Sequence, residues 1–222
     1  KLEKKSKQIK VKNTLSFLTK TSSKVRENSS AKVIAITGSC GKTSLKELIG
    51  MTLNKLCCVT YSRESFNNKF GVPLSLFNLN PKDDFGVFEV GMDKKGEIDA
   101  LTKIIKPEVG VITNISYAHA KNFKNLKQIA LAKSEIMNNI VSGGSIVLNA
   151  DDKFYKFHYK MALRKKLKVY SFSINKKNVT VRLDSIKKEK TKFKAIININ
   201  NKKKYFFVSS NFENNLKNLL AA

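Results

Sequence analysis

The sequence VIAITGSCGKTS, residues 33–44, joins a β-branched apolar run to a glycine-bracketed loop that ends in Gly41, Lys42 and Thr43. A helical pattern follows, in which apolar residues recur at spacings of three and four: Leu45, Leu48, Ile49 and Leu53. A strand, a glycine loop and a helix in this order bring free backbone N–H groups and the positive end of a helix onto an anion. The stretch therefore predicts a nucleotide site in which Lys42 reaches the outer phosphates and Thr43 holds Mg²⁺.

The match to the phosphate-loop pattern is incomplete at one position. The strict pattern has a glycine five residues before Gly41, and Ile36 stands there in this chain. A plain glycine turn is therefore the alternative interpretation. The position of the loop between a predicted strand and a predicted helix favours the nucleotide site.

Size and composition indicate a folded domain without a membrane segment. The chain has 222 residues, 41% of them hydrophobic, which is enough for one core or for one large domain with a small appended sheet. It contains no apolar run of 18 residues and no signal-peptide pattern, so we expect no membrane insertion. Three cysteines (Cys40, Cys57 and Cys58) give no disulfide framework and suit a reducing cytoplasm. We expect a cytoplasmic monomer.

The formal charge of +26 raises the possibility of a nucleic-acid partner. Only four of the 43 basic residues are arginine, however, and arginine is the residue that recognises phosphate with two hydrogen bonds. The lysines are also spread along the whole chain. A solvated lysine surface therefore explains the charge better, and we predict no nucleic-acid partner.

Strand-like and helical patterns alternate from residue 33 onward. Strands are predicted at 33–37, 57–61, 86–90, 109–115 and 145–148, and helices at 42–55, 72–79, 96–106 and 124–140. This alternation predicts an α/β fold with a mostly parallel sheet and helices on both faces. Within 165–210 strands dominate, which predicts a small, largely antiparallel sheet packed on the main body. Residues 1–30 are predicted to be a linker and an introductory helix over 11–28.

Polar residues follow several predicted strands, at the edge where α/β sheets bind ligands. Glu89 ends an apolar run, and a buried carboxylate there requires a partner or a cation such as Mg²⁺. An edge residue facing water is the alternative. His119 also follows a strand, but a lone histidine is equally consistent with a structural role. Lys133 reads as part of a solvated helical face with Glu135, and His158 reads as a surface residue.

Six motifs, in the same order and spacing, together resemble the ATP-dependent Mur ligase family. They are TGSCGKTS at 37–44, SFNNKFGVPLSL at 65–76, FEVGMDKKGEI at 88–98, ITNISYAHAKNF at 112–123, IALAKSEI at 129–136 and VLNADD at 147–152. The resemblance implies an ATP-dependent acid–D-amino-acid ligase of peptidoglycan precursor synthesis. The NNxxGVPL and GEI elements favour the activity that adds D-alanyl-D-alanine to UDP-N-acetylmuramoyl-tripeptide. Another Mur-type activity and a folylpolyglutamate-synthase-like ligase remain alternatives.

The resemblance also implies roles for individual residues. It implies ATP and Mg²⁺ as cofactors and catalytic roles for Lys42, Glu89, His119 and Lys133. Metal ligation would fall to Thr43, Glu89, His119 and a carbamylated Lys133. Substrate contacts would come from Asn67 and Asn68. The implied ATP-binding residues are Gly38, Ser39, Cys40, Gly41, Lys42, Thr43, Ser44, Asn149 and Asp151.

Domain boundaries and one departure from the family pattern follow from the same resemblance. Residues 31–222 would be the central ATP-binding domain, with the N-terminal UDP-sugar domain and the C-terminal domain absent from this chain and the chain alone inactive. The family commonly carries Gly-x-His-Asn before its last helix, where this chain has Phe212, Glu213, Asn214 and Asn215. The adenine contacts of that segment are therefore open.

Overall fold

The structure is a computed structural model that describes residues 9–117, 122–209 and 213–222. The helices in these ranges are α1 (Thr14–Glu27), α2 (Lys42–Leu53), α3 (Gly71–Phe77), α4 (Glu97–Ile105), α5 (Leu126–Lys133), α6 (Tyr155–Arg164) and α7 (Glu213–Ala221). A 3₁₀ segment, Ser134–Asn138, continues α5. The strands are β1 (Lys32–Thr37), β2 (Val59–Tyr61), β3 (Phe85–Glu89), β4 (Val109–Ile112), β5 (Ser145–Asn149), β6 (Lys168–Ser173), β7 (Val181–Glu189), β8 (Lys192–Ile199) and β9 (Lys202–Val208).

Within the described residues, the nine strands form one sheet in the order β2-β3-β1-β4-β5-β6-β7-β8-β9. The pairings from β2 to β7 are parallel, and those of β7 with β8 and of β8 with β9 are antiparallel. β1 lies between β3 and β4. The strands β2 and β3 are therefore added on one side of β1, and β4 and the later strands on the other side. Such a switch point leaves a crevice outside the carboxyl ends of the strands.

Helices cover both faces of the parallel part of the sheet, as the sequence predicts. Alternate residues of β1 point to opposite faces, so Val33 and Ala35 join one core and Ile36 the other. The first core contains apolar residues of α3, α4 and α5, and the second contains Leu45 and Ile49 of α2. The sheet is therefore a buried central layer that presents the β1–α2 connection at its carboxyl edge.

The antiparallel strands form as predicted, but they extend the main sheet instead of packing on it as a separate one. The continuity rests on a short parallel pairing between β6 and β7, which joins Phe172 to Val181 and Ser173 to Arg182. α7 then packs over this region, where Phe172, Ile197 and Leu220 form a small core. The α/β fold class is confirmed, with this change in how its second part is attached.

The introductory helix α1 is attached to the sheet by one buried cation. The Arg26 side chain, 7% exposed, donates to the backbone oxygens of Ile105 and Lys106 at 2.7 and 3.0 Å. It also donates to the Glu108 carboxylate at 2.8 Å, and that carboxylate accepts the backbone N–H of Val33. These contacts lie at the amino end of β1, opposite to the β1–α2 connection.

β9 is the last strand of the sheet in the described part of the chain, and its composition suits an edge. Lys202, Lys203 and Lys204 open the strand, and lysine on an edge strand discourages pairing with another chain. Tyr205 and Phe207 are exposed, and the Lys194 ammonium lies 5.0 Å from the centre of the Tyr205 ring. None of the described helices has the length and hydrophobicity needed to cross a bilayer.

Candidate functional site

The loop between β1 and α2 has the backbone geometry of an anion cradle. Gly41 has a φ of +83° and is the N-cap of α2, so the first turn of the helix directs unpaired N–H groups into the crevice. Gly38 has a φ of +148°, and a Cβ atom there would lie 1.8 Å from the Thr113 Oγ1 atom. Only glycine fits such a position. We call residues 38–44 the phosphate loop.

The segment after β4 holds the phosphate loop in place. Ser39 N–H donates to the Asn114 backbone oxygen and Cys40 N–H to the Asn114 side-chain oxygen, both at 2.9 Å. The Thr113 hydroxyl donates to the Cys40 backbone oxygen at 2.7 Å. Ser39 is buried and its hydroxyl donates to the Ser116 backbone oxygen at 3.0 Å. Ser39 and Cys40 are therefore fixed by protein contacts, and Ser44 lies exposed on the first turn of α2.

Thr43 and Glu89 come together at the carboxyl edge of the sheet, although 46 residues separate them. The Thr43 hydroxyl donates to Glu89 Oε2 at 2.7 Å, and the Lys42 ammonium lies 3.9 Å from Glu89 Oε1. The Glu89 side chain is 1% exposed. Three residues that the sequence assigned to one site therefore lie in contact, and Glu89 is not an edge residue facing water.

The segment after β2 contributes two further groups to this cluster. Asn67 donates through its amide nitrogen to Glu89 Oε1 at 2.7 Å, and its backbone oxygen accepts the N–H of Gly91 at 2.8 Å. The Ser65 and Thr43 hydroxyls share a hydrogen bond of 3.2 Å. Asn67 was predicted as a substrate residue, and here it orients the carboxylate of Glu89.

The Thr43–Glu89 pair fits a magnesium ion by the chemistry of its donors. Mg²⁺ prefers hard oxygen ligands and is often held by one or two carboxylates together with substrate phosphates. A carboxylate buried to this degree needs compensating positive charge, which Lys42 provides only in part at 3.9 Å. The described residues contain no group of three or more His, Cys, Asp or Glu that could hold a metal ion. The pair therefore suits an ion that shares its ligands with a nucleotide.

Lys133 is buried beside the phosphate loop and is not part of a solvated helical face. Its side chain is 2% exposed, and its ammonium donates to the Gly38 backbone oxygen at 2.9 Å. Burial, and secondarily the charge of Lys42, lower the pKa of Lys133 from 10.5 to about 7. A substantial fraction of the amine is therefore neutral and nucleophilic at neutral pH.

A cavity of about 880 Å³ opens beside this cluster. Lys42 and Lys133 lie where the cavity meets the phosphate loop, and three more lysines line it: Lys69, Lys94 and Lys95. The rest of the lining comes from two segments, residues 67–70 and residues 91–101. Apart from Lys133, four lysines of the described chain line the cavity against the two carboxylates of Asp93 and Glu97, a balance that suits a negatively charged ligand.

Two carboxylate or amide side chains shape the cavity wall by accepting backbone N–H groups at the start of a helix. The Asn68 side chain accepts N–H groups from Phe70 and Gly71 at 3.0 and 2.9 Å, so this predicted substrate residue begins α3. The Glu135 carboxylate accepts the Gly96 N–H at 2.8 and 3.0 Å and the Asp99 N–H at 3.3 Å, at the start of α4. Burial raises the pKa of Glu135, while these N–H groups act in the opposite direction.

The predicted nucleotide-side residues after β5 are engaged in the protein. The Asn149 amide donates to the Thr113 backbone oxygen at 3.1 Å. The Asp151 carboxylate accepts the Ser173 hydroxyl at 2.5 Å and the Ile174 N–H at 2.7 Å. From α7, the Asn218 amide donates to the Gly41 backbone oxygen at 3.4 Å, which places α7 against the phosphate loop. His119 and Phe212 lie outside the described residues.

Comparisons with known proteins agree with this geometry. A family model described as the Mur ligase middle domain matches residues 36–222. The UDP-N-acetylmuramoyl-tripeptide--D-alanyl-D-alanine ligase of Buchnera aphidicola subsp. Baizongia pistaciae is 38% identical over 97% of this chain and 46% of its own length. The ligase of the same name from Escherichia coli K12 is 33% identical over 77% of this chain and 37% of its own length. The chain thus spans less than half of these relatives.

Solved structures give the same result. The crystal structure of MurF from Acinetobacter baumannii superposes with a TM-score of 0.88 and 31% identity, covering 96% of this chain and 46% of that one. The MurF ligase of Thermotoga maritima in complex with ADP superposes with a TM-score of 0.84 over all of this chain and 51% of that one. Its identity is 23%, so it supports the fold alone.

Proposed function

The chain belongs to the Mur ligase family, and from that premise we propose that residues 31–222 form the central ATP-binding domain of a longer ligase. We propose that this ligase adds D-alanyl-D-alanine to UDP-N-acetylmuramoyl-tripeptide and releases ADP and phosphate. The contact of Lys42, Thr43 and Glu89 at the mouth of the phosphate loop is the observation that carries the proposal. The relatives named for this reaction support the choice of substrates.

The phosphate loop would bind ATP through its backbone. The first-turn N–H groups of α2 would bind the outer phosphates, and the Lys42 ammonium would neutralise charge on the γ-phosphate. Thr43 and Glu89 would hold Mg²⁺, which neutralises charge on the phosphates when it is bound. Asn67 keeps the Glu89 carboxylate turned toward Thr43 through its 2.7 Å hydrogen bond.

A carboxylate resists attack by an amine because it is anionic and has no good leaving group. In the proposed reaction the carboxylate of the tripeptide attacks the γ-phosphorus of ATP, the bond to the ADP oxygen breaks and an acyl phosphate forms. The amine of D-alanyl-D-alanine then attacks the acyl carbon, the C–N bond forms and inorganic phosphate leaves. The amine loses a proton in this step. The protein contributes mainly orientation and charge stabilisation, as in other phosphoryl transfers.

The lysine-lined cavity would receive the tripeptide. Lys69, Lys94 and Lys95 complement a substrate that carries several carboxylates, and the cavity opens directly onto Lys42. Asn67 and Asn68 shape its wall from one side and the 91–101 segment from the other. A bound peptide would thereby present its terminal carboxylate to the γ-phosphate.

Lys133 would act after reaction with carbon dioxide. A neutral amine attacks CO₂, a C–N bond forms and one proton is released, which leaves a carbamate that carries a negative charge. The lowered pKa of Lys133 makes the neutral amine available at physiological pH. The carbamate would supply an oxygen ligand for a second Mg²⁺, a role that the family resemblance also implies for His119.

The proposal predicts that ATP turnover depends on both acceptor substrates. With the full-length protein, phosphate release in the presence of ATP and Mg²⁺ should rise at least about tenfold when UDP-N-acetylmuramoyl-tripeptide and D-alanyl-D-alanine are added together. One new amide product should form per phosphate released. Phosphate release that is the same without the dipeptide would instead indicate a phosphate-loop ATPase of another type.

A nucleic-acid module is the competing interpretation of the charge. It predicts DNA or RNA binding that falls steeply with salt and is unaffected by ATP. We propose instead that the lysine surface is solvated, that the protein is monomeric and that it works in the cytoplasm, where ATP is available. Titration of labelled DNA and RNA at two salt concentrations distinguishes these possibilities.

The Glu89→Gln substitution tests the proposed metal pair. The amide keeps the size of the side chain but removes its charge. Groups that only orient a metal ligand change metal affinity by up to about 100-fold, so we expect removal of a ligand to lower the Mg²⁺-dependent nucleotide affinity at least about 100-fold. Calorimetric titration of the full-length protein with ADP at a series of Mg²⁺ concentrations measures this. Asp84→Asn, just before the amino end of β3, is the matched control and should leave the affinity unchanged. Equal affinity in Glu89→Gln would exclude Glu89 as a ligand.

A further inference from the structure

Lys46 is a buried cation that the proposed mechanism does not use. It lies on α2 four residues after Lys42, and its side chain is 0% exposed. Burying an ammonium is costly unless its donors are satisfied, so its surroundings must compensate for the lost hydration. A lysine in a helix that begins at a phosphate loop would otherwise be expected to reach solvent.

The backbone partners of Lys46 belong to one segment of the chain. Its ammonium donates to the backbone oxygens of Ser62 and Glu64 at 2.6 and 2.7 Å. It also forms an ion pair of 2.6 Å with Glu47, which is half-buried. Glu64 has a φ of +43°, a left-handed conformation that is uncommon for a residue with a side chain and that the ammonium helps to hold.

The segment that Lys46 fixes is the one that reaches the Thr43–Glu89 pair. Ser62 accepts the Glu89 N–H through its hydroxyl at 3.2 Å. One residue beyond Glu64, the Ser65 hydroxyl contacts Thr43, and two residues further Asn67 donates to Glu89. Lys46 thus binds Ser62, which contacts Glu89, and it binds Glu64, which precedes the residue that contacts Thr43.

We propose that Lys46 is a positioning residue, which anchors residues 62–67 so that Ser65 and Asn67 hold Thr43 and Glu89 in the orientation that binds the magnesium–nucleotide complex. Groups that orient metal ligands in this way typically affect metal affinity about 10- to 100-fold when they are removed. The inference rests on the proposed function in one respect, since it requires that the Thr43–Glu89 pair binds Mg²⁺ with a nucleotide.

The test compares Lys46→Met with Arg26→Met in the full-length protein. Both changes remove a buried cation that donates to backbone oxygens and pairs with a carboxylate, but Arg26 lies at the amino end of β1, away from the site. We expect the Mg²⁺ concentration for half-maximal ADP binding to rise about tenfold in Lys46→Met and to stay unchanged in Arg26→Met, although both proteins lose stability. Calorimetric titration gives the first quantity and urea unfolding the second.

Hydrogen exchange supplies a readout that does not depend on nucleotide. Amides of residues 62–68 should exchange about tenfold faster in Lys46→Met than in the unsubstituted protein, while β1 and β4 amides change no more than they do in Arg26→Met.

If Lys46→Met does not fold, Lys46→Gln, which keeps a shorter donor, is measured in the same two ways. Unchanged Mg²⁺ dependence together with unchanged exchange over 62–68 would overturn the proposal. Absence of Mg²⁺-dependent ADP binding in the unsubstituted protein would instead contradict the proposed function, and the exchange measurement would still decide the role of Lys46.

Discussion

Lys42→Ala is expected to lower the rate of ATP-dependent ligation at least about 1,000-fold, the upper range for removing one group that stabilises transferring charge. Lys42 begins α2, and its ammonium lies 3.9 Å from the buried carboxylate of Glu89. The same ammonium lies at the first turn of α2, where the γ-phosphate would bind. Its removal therefore leaves the phosphoryl group with much less positive charge in the transition state.

The fold should survive this substitution. Glu89 keeps its hydrogen bonds from Thr43 and Asn67, so we expect the free energy of unfolding to fall by only about 1–2 kcal/mol. Ligation by the full-length protein is measured as amide product, and unfolding is followed in urea. Lys32→Ala, an exposed lysine at the amino end of β1, is the matched control. Near-normal ligation by Lys42→Ala in a folded protein would contradict the assignment of the phosphate loop.

Lys133→Met is expected to make the protein more stable and less active at the same time. The pKa of Lys133 is about 7 in the folded protein and 10.5 in the unfolded chain. The unfolded chain therefore binds the proton more tightly, and protonation favours unfolding. The free energy of unfolding of the protein with Lys133 should therefore rise between pH 7 and pH 10.5. Below pH 7 the whole cost of burying the protonated amine is present.

Methionine fills a similar volume and carries no charge, so it removes this penalty. The pKa shift sets an upper limit of about 5 kcal/mol on the stability gained by removing the charge. Loss of the hydrogen bond to Gly38 lowers this gain by about 1 kcal/mol. We expect a net gain of a few kcal/mol at pH 6 that disappears near pH 10.5. Urea unfolding in CO₂-free buffers at a series of pH values measures it.

The same substitution should lower ligation at least about 100-fold, as expected for loss of a group that supports a metal site. Added bicarbonate should raise ligation by the lysine protein and leave the methionine variant unchanged. Leu131→Met, on the exposed side of α5, is the control for the substitution itself. A variant that is less stable than the lysine protein at pH 6, or that ligates normally, would contradict this account of Lys133.

The parts of the structure that local sequence specifies were predicted well. The β1–α2 unit follows from a β-branched run, two loop glycines and helical spacing, all within about 20 residues. The meeting of Glu89 with Thr43 also follows, because carboxyl ends of parallel strands share one edge. The extension of the sheet through β6 and β7 could not be predicted, since it depends on two residue pairs that have no local signature.

Buried polar residues account for most of the misjudged side chains. His158 reads as a surface residue because lysines flank it, yet it is 2% exposed and its Nε2 lies 3.0 Å from the Ala130 backbone oxygen. Burial lowers its pKa, so the neutral ring is favoured. Lys133 and Glu135 also read as part of a solvated helical face. Their backbone partners come from segments distant in the chain, and no periodicity in the sequence reveals them.

The central place of β1 has a consequence for how the protein loses activity on heating. β1 is bonded on both sides, to β3 and to β4, whereas β2 has three residues and β9 has a neighbour on one side only within the described sheet. Fraying that starts at β9 must open the ladders of β8, β7, β6, β5 and β4 before it reaches the loop at the end of β1. Opening of the β9 margin should therefore leave nucleotide binding intact, and thermal inactivation should follow only when the central strands melt.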